Sequence, residues 1–144
     1  MFTVSPLSAL NIRRAYPVAC LISPELTLSD WRRYVRRQTR SSQSGLLVAR
    51  SSRSVMFGIA PWWVQPDLKR DLVLWAGPLI VVEPGAPGRV HGALSAALSR
   101  LVVERHCERV QLVEDGDDPG SPMPGLGYSW YGSILQRKAP TIPG

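Results

Sequence analysis

The sequence predicts an α/β (α+β) domain with a mixed, mostly antiparallel sheet, a central bulged strand and helices flanking the sheet. Three observations carry this. Residues 71–115 read as an apolar strand, a Gly/Pro-rich loop, a helix and a second strand, a unit that closes only as a right-handed parallel crossover. Ahead of it lie two further strand-like runs with no room for a helix between them. Ahead of those, a capping box opens an amphipathic helix.

In chain order, residues 2–4 suit a first strand. Ser5 and Pro6 suit a helix N-cap and first helical residue, with Leu7, Leu10 and Ile12 in a helix that ends before Pro17. Residues 18–22 are apolar and fit helix or strand. Thr27-Leu28-Ser29-Asp30 is the capping box, and Leu26 with Trp31 matches a hydrophobic staple. The helix extends to about Arg40, with Leu28, Trp31 and Val35 inward, Tyr34 beside them, and Arg32, Arg33, Arg36, Arg37 and Arg40 on other faces. After the polar link 41–45, segments 46–49 and 55–63 read as strands, and Pro66 to Arg70 turns the chain into the strand at 72–82.

That strand is apolar at nearly every position, as burial on both faces requires. Gly77-Pro78 interrupts it. Proline cannot donate to the ladder, so a bulge is expected there. The loop from Glu83 to Arg89 opens into a helix whose apolar stripe is Val90, Leu94, Ala97, Leu98, Leu101 and Val102. Its first turn offers unpaired N–H groups and the positive end of a dipole, a seat for phosphate. Glycines allow close approach, and Arg89 adds a guanidinium. His106 falls where a helix cap is needed, and 109–113 is the second strand.

The segments Leu79-Ile80-Val81-Val82-Glu83-Pro84, Gly88-Arg89-Val90-His91-Gly92-Ala93-Leu94 and 104–110 together resemble the core of the GNAT superfamily of acyl-coenzyme A-dependent N-acyltransferases. The match covers about a third of the chain, with looser flanks. In that family a bulged central strand leads to a loop of pattern (Q/R)-x-x-G-x-(G/A). Read from Pro87, the chain has Val90 and Gly92 at the glycine positions and lacks the leading Arg or Gln; read from Arg89, it has Gly92 but then Leu94.

The resemblance implies one GNAT-like domain over 1–144 that transfers an acetyl group from acetyl-CoA to a primary amine. Leu79, Ile80, Val81 and Val82 would pair with the pantetheine arm. Gly85, Gly88, Arg89, Val90, His91, Gly92 and Ala93 would surround the diphosphate. The family usually has a helix ending in a Gly-aromatic pair and carrying an acidic tyrosine. Gly127-Tyr128 resembles the pair, but 116–127 is too rich in Pro and Gly for a helix, and the tyrosine position falls near Met123. The catalytic candidates are therefore Glu83 as base and Tyr128 or Tyr131 as acid. Glu114 and Asp115 also lie near strand ends, and Trp62 and Trp63 are candidates for the floor of an acceptor pocket.

The acceptor is a small molecule or a peptide amine, and the resemblance leaves room for a homodimer. A catalytically degenerate binding or regulatory protein of the same fold is the alternative. A small nucleic-acid-binding domain ranks below it. The net charge of +6 comes from fifteen Arg against two Lys, but no base-stacking or groove-reading pattern accompanies them. No zinc, Ser-His-Asp or Walker pattern is present, so no metal is expected. Two cysteines without metal spacing, no signal segment and no apolar run of about eighteen residues point to the cytoplasm and away from membranes.

Overall fold

The computed structural model describes residues 2–113. The strands are β1 (Phe2–Pro6), β2 (Ser44–Ser51), β3 (Met56–Pro66), β4 (Leu72–Ala76), β5 (Ile80–Val81) and β6 (Arg109–Leu112); the helices are α1 (Ile12–Ala19), α2 (Leu28–Gln38) and α3 (Arg89–Glu104). They form one six-stranded sheet in the order β1-β2-β3-β4-β6, with β5 also on β3. Every pairing is antiparallel except β4 with β6, the parallel crossover that the sequence predicts.

Helices cover both faces. α3 buries Val90, Leu94, Leu98, Leu101 and Val102 against Leu47, Ala49, Ala60, Leu74, Ala76 and Val110. These are the predicted stripe on one side and alternating sheet positions on the other, as a period of two requires. On the opposite face Trp31 and Val35 of α2 and Ala15, Val18 and Ala19 of α1 pack on Leu46, Val48 and Ile59. α3 ends in a Schellman turn: the Cys107 N–H donates to Val102 and the His106 N–H to Val103, at 2.9 and 3.2 Å, with His106 at φ 56°. His106 is thus the cap expected there.

The first helix differs from its expectation. Ala9–Asn11 is a short 3-10 turn and α1 begins only at Ile12. It then runs through Pro17. Pro17 is exposed, so the backbone acceptor it leaves without a helical donor can be satisfied by water. Leu10, expected inside, is 91% exposed.

The strand expected over 72–82 is two strands on one partner. Ala76 faces Trp62, and Ile80 faces Ile59, so four residues of this segment span three of β3. That one-residue slip is the predicted bulge. It sits at Gly77-Pro78, whose peptide is cis, and the Gly77 N–H still donates to Pro61 at 2.8 Å.

Candidate functional site

The break at Gly77-Pro78 is where the sheet opens. β6 pairs with β4 up to Ala76, and its last described contact is the Val113 N–H donating to the Ala76 carbonyl at 2.7 Å. Beyond that point β5 stays with β3: the Val82 N–H donates to Phe57 at 2.7 Å. Peptide directions alternate along a strand, so the N–H and C=O of Val81 point the other way, into the gap that β4 and β6 leave. Gly77 sits at the apex. It has φ +121°, and a Cβ there would lie 2.2 Å from the Val113 oxygen.

The loop from the end of β5 leads into α3 through Gly88, at φ 83°. The side chain of Glu83 folds back onto the first turn of the helix. Its carboxylate accepts from the Val90 N–H at 2.9 Å and the His91 N–H at 3.2 Å. The Val90 hydrogen bond, aided by those of His91 and Gly88 against partial desolvation, holds the Glu83 carboxyl below its ordinary value of 4.5. The turn therefore does seat an anion, and the anion is the chain's own. A carboxylate so held is a helix cap and a weak proton acceptor near neutral pH. Arg89, Gly92 and the glycines of the loop are exposed, and a Cβ on Gly85 or Gly92 would meet nothing within 4 Å. The outer side of this turn is open.

A lowered pKa means Glu83 adds stability above its unfolded value and loses it as pH falls through the folded one. Glu83→Gln is therefore expected to flatten the loss of urea stability between about pH 6 and about pH 3. An unchanged profile would remove the carboxylate from the turn.

On the other face of the sheet, beside the same break, lies a cavity of about 400 Å³. Its walls come from the α1–α2 link (Ile22, Ser23, Leu26), from α2 (Asp30, Trp31, Arg33, Tyr34, Arg37), from β3 and β5 (Ile59, Pro61, Ile80) and from Pro78 in the break between β4 and β5. The wall elements are tied together. The Trp31 indole N–H donates to the Ile12 carbonyl at 2.7 Å, the Tyr16 hydroxyl donates to Leu26, and the Thr27 side chain caps α2 by accepting from the Asp30 N–H at 3.0 Å. Pro78 and Ile80 thus place one end of the cavity at the mouth of the gap between the splayed strands.

Leu79, Ile80, Val81 and Val82 lie along the gap, and Gly85, Gly88, Arg89, Val90, His91, Gly92 and Ala93 form the loop and first turn of α3. Glu83 sits at that turn too. Tyr128, Tyr131, Glu114 and Asp115 lie outside the described residues. Trp62 and Trp63 do not floor the cavity. Trp62 points to the α3 face, with the Arg105 guanidinium 5.1 Å from its ring centre, and Trp63 stacks on Trp75 at 6.3 Å. Trp31 and Tyr34, stacked at 5.8 Å, supply the aromatic wall instead. Both cysteines are free, burial pushes the Cys107 thiol up, and no cluster of metal ligands occurs among the described residues. No described helix is long and apolar enough to cross a membrane.

No family model matches the sequence, and no curated protein does. Solved structures do. A transcriptional regulator from Bacillus halodurans C-125 superposes at TM-score 0.69, with 14% identity over 84% of this chain and 87% of that one. A GNAT family acetyltransferase from Staphylococcus aureus subsp. aureus USA300_TCH1516 does so at 0.67, with 10% identity over 85% and 92%. The aminoglycoside acetyltransferase AAC(6')-Iy, in complex with the bisubstrate analogue CoA-S-monomethyl-acetylneamine, also matches at 0.67, with 10% identity over 82% of each chain. On these likenesses this chain has the GNAT fold.

Proposed function

We propose that this protein is an acyl-CoA-dependent N-acyltransferase that moves an acetyl group from acetyl-CoA to a primary amine. The observation that carries the reading is an alignment of three features at one break in the sheet. A free strand edge at Val81 faces the gap, a helix turn that seats an anion lies at one end, and an apolar cavity lies at the other. Fold alone does not fix chemistry, but these three features match the three parts of the reaction.

The chain's residues fit coenzyme A in stated places. The N–H groups of Val90 and His91 would take a diphosphate oxygen once Glu83 swings out, with Arg89 beside them. The outward edge of β5 at Val81 would hydrogen-bond the pantetheine amides as an added strand. The cavity at Pro78 and Ile80 would hold the amine against the thioester, so proximity supplies much of the rate. Bound there, acetyl-CoA supplies an activated acyl group. The amine nitrogen bonds to the carbonyl carbon as the carbon–sulfur bond breaks. The amine gives up a proton to water, and the sulfur leaves with the bonding electrons and takes up a proton. In this reading Tyr128 or Tyr131 delivers the proton to sulfur, and Glu83 serves the phosphate seat rather than proton abstraction.

A second reading, a binding or regulatory protein without turnover, is favoured by Glu83, which already occupies the N–H groups that the diphosphate needs. Thiol release from acetyl-CoA in the presence of a panel of primary amines separates the two. The enzyme reading expects amine-dependent thiol release with acetylated amine in equal amount. Coenzyme A binding with no thiol release for any amine would favour the second.

A further inference from the structure

We propose that the acceptor is an amine with an apolar body and an anionic group, a carboxylate being the simplest, and that Arg33 and Arg37 bind that group. The inference rests on the acyl-transfer reading for the word acceptor, but its physical basis is the cavity itself. The walls are mainly apolar and aromatic: Trp31, Tyr34, Ile59 and Ile80 among them. Such walls take up hydrocarbon and exclude water. The charged groups on the lining are Asp30, Arg33 and Arg37, and all three stand on one helix at positions that share a face.

Their balance is positive. Asp30 is 3.5 Å from Arg33, and this pair is open to solvent, with side chains 49% and 68% exposed. It ties up Asp30 without cancelling the local field. Arg37 forms no ion pair among the described residues. The surroundings reinforce this. Residues 12–40, which build α1, the link and α2, hold seven arginines (Arg13, Arg14, Arg32, Arg33, Arg36, Arg37 and Arg40) against two carboxylates, Glu25 and Asp30. A second cation on the acceptor would enter a positive field, whereas an anion meets two guanidiniums able to form forked hydrogen bonds. Polycationic amines are therefore poor acceptors here, although the fold is shared with an aminoglycoside acetyltransferase. The amine end points toward Pro78 and Ile80 and the anionic end toward α2.

Three probes that share the 2-phenylethylamine body test this. They carry a carboxylate, a methyl or an aminomethyl group at the para position. Each is titrated by calorimetry with and without coenzyme A and assayed for thiol release from acetyl-CoA. The carboxylate probe is expected to bind about tenfold or more tighter than the methyl probe, as charge-assisted hydrogen bonds require, with the aminomethyl probe weakest. The preference should shrink with added salt. In Arg33→Gln/Arg37→Gln it should fall to within about twofold, while coenzyme A affinity stays at the wild-type value.

Equal binding of the three probes, preference for the cation, or no binding of any would overturn the proposal. So would a preference that survives the double substitution. Transfer to all three at equal rates would overturn it and leave the acyl-transfer reading standing. Selective, arginine-dependent binding of the carboxylate probe with no thiol release would do the reverse.

Discussion

Gly77→Ala is expected to cost this protein a large part of its stability. The residue stands at φ +121°, where an L side chain is strained wherever it occurs, and its Cβ would lie 2.2 Å from the Val113 carbonyl oxygen. Relief requires β6 to move off β4, which breaks the hydrogen bond from Val113 to Ala76 and loosens the parallel pairing beneath it. Strain and lost packing together amount to about 3–5 kcal/mol, a large part of the stability of a domain this size. Urea unfolding followed by tryptophan fluorescence measures it. Gly85→Ala is the control: its Cβ meets nothing within 4 Å, and its effect should stay within about 0.5 kcal/mol. Equal effects for the two would mean that the close approach of the strands at the apex of the splay is not what Gly77 provides.

Gly92→Val is expected to do the opposite, leaving the fold intact and impairing the ligand. Gly92 lies in the first turn of α3. Its N–H is already used within the helix, donating to Gly88 at 2.8 Å. A Cβ there meets no protein atom within 4 Å, so packing gives no reason for a glycine. Valine suits a helix interior better than glycine by a few tenths of a kcal/mol at least, so the melting temperature should hold or rise. If a diphosphate lies against this turn, the added methyls stand in its place, and coenzyme A affinity should fall about tenfold or more. Arg89→Ala, removing an exposed guanidinium, should weaken binding by about 1–3 kcal/mol. Calorimetry checks both; unchanged affinity in Gly92→Val would mean that the open side of the turn is solvent and nothing else.

Much of the frame is legible in the sequence because it is written in periodicity. The stripe Val90, Leu94, Ala97, Leu98, Leu101, Val102 could face only one way, and all six are buried. Gly77-Pro78 in an apolar run could mean little but a bulge. The cap at Thr27 is equally local.

What the sequence does not show depends on contacts between distant residues. The cavity is built from the α1–α2 link, α2, β3 and the start of β5, and no single stretch contains its pattern. Trp62 and Trp63 attract attention as a pair, yet neighbours on a strand point to opposite faces, so they cannot floor one pocket. The arginines of α2 look like a solvated face on a helical wheel; only the packing of α2 beside Pro61 and Pro78 turns Arg33 and Arg37 toward a cavity. Glu83 reads as a carboxylate at a strand end, and its role as the cap of α3 appears only once the loop folds it back across seven residues. Pro17 misleads because it lies on the exposed side of α1, where the acceptor it leaves without a helical donor meets water.

In the proposed function, the turn at the start of α3 exchanges its own carboxylate for the diphosphate of coenzyme A. The most direct measurement is a calorimetric comparison of coenzyme A with pantetheine, the fragment that lacks the phosphates, on the wild-type protein and Glu83→Gln. Coenzyme A is expected to bind about tenfold or more tighter than pantetheine. Glu83→Gln should tighten coenzyme A further, because a charged competitor has gone, and leave pantetheine unchanged. Equal, weak binding of both ligands by both proteins would rule the exchange out.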